Sequence, residues 1–198
     1  SLSSPTLKDE SALRFAAGLS FATPKNRSVL RATYFENHVE NGIYWIMSTN
    51  LMKAFNIDKS LIRGVELELE SRPVKFFQAV LRGTIQDPRD DGANKAYNGN
   101  LLPGEPVHSY FAEGTFFLPL DLRLIFQTTY RTRIFSDRMN FTRQPPVARY
   151  NASIAWQPWE KTQLMFAVDN ISDETYRNIY TPYPAPGREY RFTLIQGF

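Results

Sequence analysis

Apolar and polar residues alternate with a period of two along this chain, and the alternating segments are joined by connections that are short and long in turn. A period of two places successive side chains on opposite faces of a strand. Residues 63–70 state it most clearly: Val65, Leu67 and Leu69 share one face, and Glu66, Glu68 and Glu70 the other. Likewise Leu122, Leu124, Phe126 and Tyr130 oppose Arg123, Gln127 and Arg131, and Tyr190, Phe192, Leu194 and Phe198 oppose Glu189, Arg191 and Thr193. Residues 148–156 and 162–169 repeat the pattern, and weaker versions occupy 11–21, 28–37, 75–86 and 108–117. Nine strands are predicted, each near the roughly 9–11 residues that cross a bilayer at a tilt.

Four connections are short and contain proline: 22–27, 71–75, 118–121 and 157–161. Proline supplies a turn and cannot donate to a ladder. The four between them are long: roughly 38–60, 87–107, 134–146 and 171–187. A soluble sandwich has no reason to sort its loops this way, whereas outer-membrane barrels put short turns in the periplasm and long loops outside. The expected fold is therefore all-β, a transmembrane antiparallel barrel wall. Short turns and the C-terminus are expected in the periplasm and long loops outside the cell. Tyr34, Tyr110, Tyr130, Trp156 and Tyr190 fall near strand ends, where a ring with one apolar and one wet end suits an interfacial girdle.

Composition narrows function further. No run of about 18 apolar residues exists, so a transmembrane helix is excluded. Mean hydropathy is −0.38, as expected for a barrel that hides its membrane signal in alternation. Cysteine is absent, which removes disulfides, thiolate metal sites and cysteine nucleophiles. His38 and His108 stand far apart with no second ligand at metal spacing, so no metal and no cofactor is expected. A net charge of +3 without basic clusters argues against nucleic acid. No nucleophile constellation stands out, and catalysis is not expected. Asp87-Pro88-Arg89-Asp90-Asp91-Gly92 loosely matches a calcium loop but lacks the distal glutamate, and reads as a solvated turn. Glu66, Glu68 and Glu70 read as a polar lumen wall, paired with Arg31 or Arg82 or with whatever fills the lumen. The Asn-x-Ser/Thr triplets at Asn26, Asn140, Asn151 and Asn170 carry no meaning in a bacterial outer-membrane protein.

Single-chain bacterial barrels have even strand numbers, and an open sheet edge in lipid leaves backbone groups unpaired. Both edge strands, near 11–21 and 188–197, are expected to pair outside this sequence. An outer-membrane protein carries a signal peptide at synthesis. The chain starts at Ser1 without one, so it reads as processed or as a piece of something longer.

Residues Val168-Asp169-Asn170-Ile171-Ser172-Asp173-Glu174-Thr175-Tyr176, then Pro186-Gly187-Arg188-Glu189-Tyr190-Arg191-Phe192 and the terminal Phe198, resemble the C-terminal motif of TonB-dependent outer-membrane receptors. Three earlier segments are similar to the same family. They are Pro5-Thr6-Leu7-Lys8-Asp9-Glu10, with Ser4 and Asp9 in place of the usual Asn and Pro; Arg63-Gly64-Val65-Glu66-Leu67-Glu68; and Leu102-Pro103-Gly104-Glu105-Pro106-Val107-His108. Four motifs in family order cover the chain.

The resemblance implies that residues 1–198 form the last nine strands of a 22-stranded barrel, with the plug and the earlier strands lying outside them. It implies active uptake of a scarce ligand: a ferric siderophore, a cobalamin or a carbohydrate. Implied partners are outer-membrane lipid, the remaining strands and plug (from the same precursor or a second chain), TonB–ExbB–ExbD acting through the plug, and the barrel-assembly machinery reading Phe198. Candidate ligand contacts are the loop and lumen residues Tyr44, Trp45, Arg131, Arg133, Arg138, Arg143, Tyr180 and Tyr183. The rival expectation is a structural or adaptor barrel subunit of a larger outer-membrane complex, without transport. Upstream sequence would discriminate the two, since a plug with a TonB-binding segment belongs only to a transporter.

Overall fold

A computed structural model describes residues 7–48, 51–176 and 184–197. Nine strands form one antiparallel sheet: β1 (Ser11–Ala22), β2 (Ser28–Ser48), β3 (Leu51–Val74), β4 (Phe77–Asp90), β5 (His108–Leu118), β6 (Leu122–Arg131), β9 (Val147–Trp159), β10 (Thr162–Asp169) and β11 (Glu189–Gln196). They lie in chain order, with β1 and β11 at the two edges. A two-residue ribbon, β7 (Ile134–Phe135) with β8 (Arg143–Gln144), sits inside the connection between β6 and β9. No described helix is long and apolar enough to cross a membrane.

Residues directly opposite each other across a ladder share a face, so the register tests the alternation. It runs Ala32↔Leu67↔Gly83↔Tyr110↔Tyr130 from β2 to β6. It continues as Phe126↔Ala152↔Val168↔Tyr190 and Ile154↔Phe166↔Phe192 from β6 to β11. One apolar face thus crosses all nine strands. Its large side chains stand open: Leu19 is 83% exposed, Phe192 68% and Phe126 50%.

The apolar face has limits at both ends. Toward the long connections it stops at a tyrosine row. Beyond Tyr34, Val65 and Ile85 the same face continues as the aligned residues Glu36, Arg63 and Asp87. The Tyr34 hydroxyl donates to Glu36 at 2.8 Å, and Asp87 accepts from Arg89 at 2.6 Å. Toward the short turns, Trp156 donates its indole N–H to the Leu120 carbonyl at 3.1 Å.

The short turns are built locally. Leu120 and Asp121 both take positive φ between β5 and β6. Lys75 and Phe76 join the paired residues Val74 and Phe77, and Glu160 and Lys161 join Trp159 and Thr162. A single 3₁₀ turn, Pro24–Asn26, follows Thr23, whose hydroxyl accepts the Ser28 N–H at 2.9 Å.

Two expectations are corrected. Residues 38–48 and 51–60 are not a loop: the β2–β3 ladder continues from Ser28↔Ser71 through Trp45↔Ala54 to Ser48↔Leu51. Outside the membrane belt a hairpin needs no face alternation, because its backbone bonds alone extend it. Residues 87–90 are not a solvated turn either. They end β4, with Pro88 fully buried and Asp90 1% exposed.

Candidate functional site

The face opposite the apolar one is polar and organised in rows. Nearer the short turns, Glu70, Val80, Glu113, Gln127 and Asn151 align from β3 to β9. Gln127 donates to Glu113 at 2.8 Å, and Arg191 donates to Asp169 at 3.0 Å. One row outward, Arg31, Glu68, Arg82, Phe111, Thr129 and Arg149 align. Glu68 accepts from Arg31 at 3.2 Å and from Arg82 at 3.1 Å. This bears out the expected pairing for Glu68; Glu66 and Glu70 make no ion pair among the described residues. The next row is Thr33, Glu66, Thr84, Ser109 and Arg131.

At the outer end of this wall, a cleft of about 420 Å³ is bordered by Arg82, Phe111, Thr129, Arg131, Arg149 and Tyr176, among others. The guanidinium of Arg131 lies 5.8 Å from the Tyr176 ring and donates to the carbonyls of Thr132 and Pro145. Among the described residues, the Nε of Arg149 is buried without a hydrogen-bond partner.

The long connections above the wall interlock. Asp90 takes a two-pronged bond from Arg138, whose Nη2 lies 3.2 Å from Oδ1, and Arg138 also stacks 4.3 Å from the Tyr97 ring. Asn140 exchanges two bonds with the Leu101 backbone, each of 2.8 Å, and Gly104 donates its N–H to the Phe135 carbonyl. Asp91 donates its N–H to the Lys59 carbonyl, tying the β2–β3 hairpin to the same cluster. Ile57, Leu102, Ile134 and Phe135 are its buried apolar side chains. Burial pushes the Glu105 carboxyl in this cluster above its ordinary pKa, opposed by the bond from Gln86.

The last connection is fastened at its base by Asn170, which is fully buried with φ 55°. Its backbone N–H donates to Asn151 Oδ1 at 2.9 Å, and its side-chain amide donates to the carbonyls of Glu174 and Pro186. Arg188 donates twice to the Ile171 carbonyl, and its own N–H donates to Asp173 at 2.7 Å. The family-like motif at 168–176 and 186–192 is thus a loop fastener. Asn140, Asn151 and Asn170 all bond to the backbone.

The candidate contacts fall into different settings. Arg131 borders the cleft. Arg133 is exposed, at a neighbouring hollow with His108 and Pro146. Arg138 is held by Asp90, and Arg143 lies 5.7 Å from the Phe135 ring. Tyr44 packs on Phe55 in the hairpin, and burial pushes its hydroxyl pKa up to about 12; its neighbour Trp45 is 49% exposed. Tyr180, Tyr183 and Phe198 lie outside the described residues. Sequence reasoning passed over Arg149, whose signal is its place in the row beside Arg131 and not any motif. Among the described residues, no group of three His, Asp or Glu could hold a metal.

The family described as "TonB dependent receptor-like, beta-barrel" matches residues 1–171. No curated protein matches the sequence. Among solved structures, the siderophore receptor PiuA from Acinetobacter baumannii is similar with a TM-score of 0.76 at 21% identity, over 93% of this chain and 28% of that one. The ferric yersiniabactin uptake receptor FyuA from Yersinia pestis gives 0.75 at 22%, over 96% and 30%. The copper transporter OprC gives 0.76 at 15%, over 98% and 31%. The chain therefore spans less than a third of the length of each of these proteins.

Proposed function

Because this chain belongs to the TonB-dependent receptor β-barrel family, an outer-membrane family, we propose that it is the wall and external-loop portion of a transporter that takes up a scarce ligand across the outer membrane. In this reading residues 1–198 are the last nine strands of a 22-stranded barrel. Plug and earlier strands complete it, and TonB–ExbB–ExbD energises it through the plug. The barrel-assembly machinery is a further partner. The short turns face the periplasm and the long connections face outward.

One observation carries the reading: a belt of exposed apolar side chains crosses every strand, bounded by a tyrosine row and then by charges, with a polar wall behind it. Only a lipid layer of finite thickness calls for that arrangement. The relatives differ in cargo: PiuA is named for a siderophore, FyuA for ferric yersiniabactin and OprC for copper. The ligand class here spans ferric siderophore, cobalamin and carbohydrate. Its contacts are proposed among Tyr44, Trp45, Arg131, Arg133, Arg138, Arg143, Tyr180 and Tyr183.

The test is side-specific labelling of the full-length protein on intact cells with a membrane-impermeant maleimide. Lys95→Cys, on a long connection, should react from outside. Lys75→Cys, on a short turn, should react only after permeabilisation. The reverse pattern would overturn the orientation, and TonB-independent uptake would overturn the mechanism.

A further inference from the structure

We propose that Arg131 and Arg149 form an anion subsite on the polar wall, one that receives a carboxylate, phosphate or similarly charged oxygen group of the transported ligand. The inference rests on the transport reading and adds the charge of the cargo to it.

The register makes the case. Arg131 is opposite Val147 and Arg149 is opposite Thr129. The two arginines are therefore diagonal neighbours on adjacent strands, with Cβ atoms roughly 7 Å apart. Like charges at that spacing repel, and neither arginine makes an ion pair among the described residues. Arg82, in the row of Arg149, is different: it is matched by Glu68 at 3.1 Å. Among the described residues, no carboxylate borders the cleft. Glu66 shares the row of Arg131 but stands three strands away, roughly 14 Å at ordinary strand spacing, beyond a Debye length of about 8 Å.

The site is also prepared to bind. The Arg149 Nε is buried and has no partner among the described residues, and a buried donor left unmatched is unfavourable until an acceptor arrives. The Arg131 guanidinium is fixed by two carbonyls and the Tyr176 ring, so little freedom is lost on binding. Ser109 and Thr129 also border the cleft, and each carries a hydroxyl able to donate. Arg131 ends β6 and Val147 begins β9, which puts the pair at the mouth of the wall, beside the long connections, where an arriving ligand meets it first. A guanidinium pair suits planar or tetrahedral oxyanions through forked donors.

The experiment uses the intact full-length protein in neutral detergent at low ionic strength, with inorganic phosphate as the probe and calorimetry as the readout. Saturable binding should weaken at least tenfold in Arg131→Gln and in Arg149→Gln. It should persist in Lys75→Gln, which removes a cation far from the cleft. Absence of saturable binding, or equal binding by all three variants, overturns the subsite. Thr129→Cys separates the two claims. If it reacts with the impermeant maleimide from outside and phosphate still does not bind, the subsite alone fails. If it is unreactive from outside, the outward-facing wall fails too.

Discussion

Arg138 grips Asp90 across 48 residues of chain, with the carboxylate buried and the guanidinium stacked on Tyr97. This contact joins the end of β4 to the connection between β6 and β9. Breaking one side of a buried pair strands the other, at roughly 3–5 kcal/mol. Arg138→Ala should therefore raise hydrogen exchange in residues 91–107 and 134–146 while the ladders of β5 and β6 stay protected. Unchanged protection in both connections would show that the pair does not hold them.

Asn170 should be nearly irreplaceable. Alanine would keep the left-handed φ, which favours Asn or Gly, and leave the Glu174 and Pro186 carbonyls without their donor. Unmatched buried groups cost roughly 1–3 kcal/mol each. Asn170→Ala should expose residues 171–187 to protease in intact cells, whereas Asn151→Ala, which removes one acceptor, should do so less. Equal resistance of all three proteins would contradict this role.

Gly64 is a close-packing position. A Cβ built there would lie 2.4 Å from the Ile85 carbonyl oxygen and 2.9 Å from Gln86 Cα. Both are backbone atoms of the paired strand, so relief requires the ladder to move. Gly64→Val should destabilise the fold by at least the roughly 1–3 kcal/mol typical of overpacking, lowering the midpoint of urea unfolding. A variant as stable as the parent would mean that β3 and β4 are less closely held.

The nine strands were legible because lipid on one side and a wetted wall on the other impose alternation on every strand. The boundaries of 122–131 and 162–169 follow directly from it. The hairpin through residues 38–60 was not legible, since Asn41, Gly42, Asp58 and Lys59 interrupt any pattern and only backbone pairing extends it. Asp90 was misread for a related reason: a carboxylate next to Pro88 and Asp91 looks solvated until its partner, 48 residues away, is known. Arg131 was legible as a loop-end cation, but its neighbour Arg149 required the register.

Charge should be tolerated on one face of β6 and not on the other. Phe126→Arg places a cation in the middle of the apolar belt, where the expected penalty is about 2–4 kcal/mol. Ile125→Arg, one residue away, points to the wall that holds Glu113 and Asp169 and should be much milder. Heat-modifiable mobility of the folded barrel on gels reads both. Equal losses would argue against two different solvents on the two faces.

The most direct measurement is nitroxide scanning of the full-length protein in lipid vesicles, with oxygen and a polar nickel chelate as relaxation agents. Labels at Leu67, Phe126, Phe166 and Phe192 should favour oxygen, while labels at Glu68, Ile125, Ala167 and Arg191 should favour the chelate or be shielded from both. A period-two signal of that sense in all four strands is the predicted result. Preference for the chelate at Leu67, Phe126, Phe166 and Phe192, or burial of all four from both agents, would contradict it.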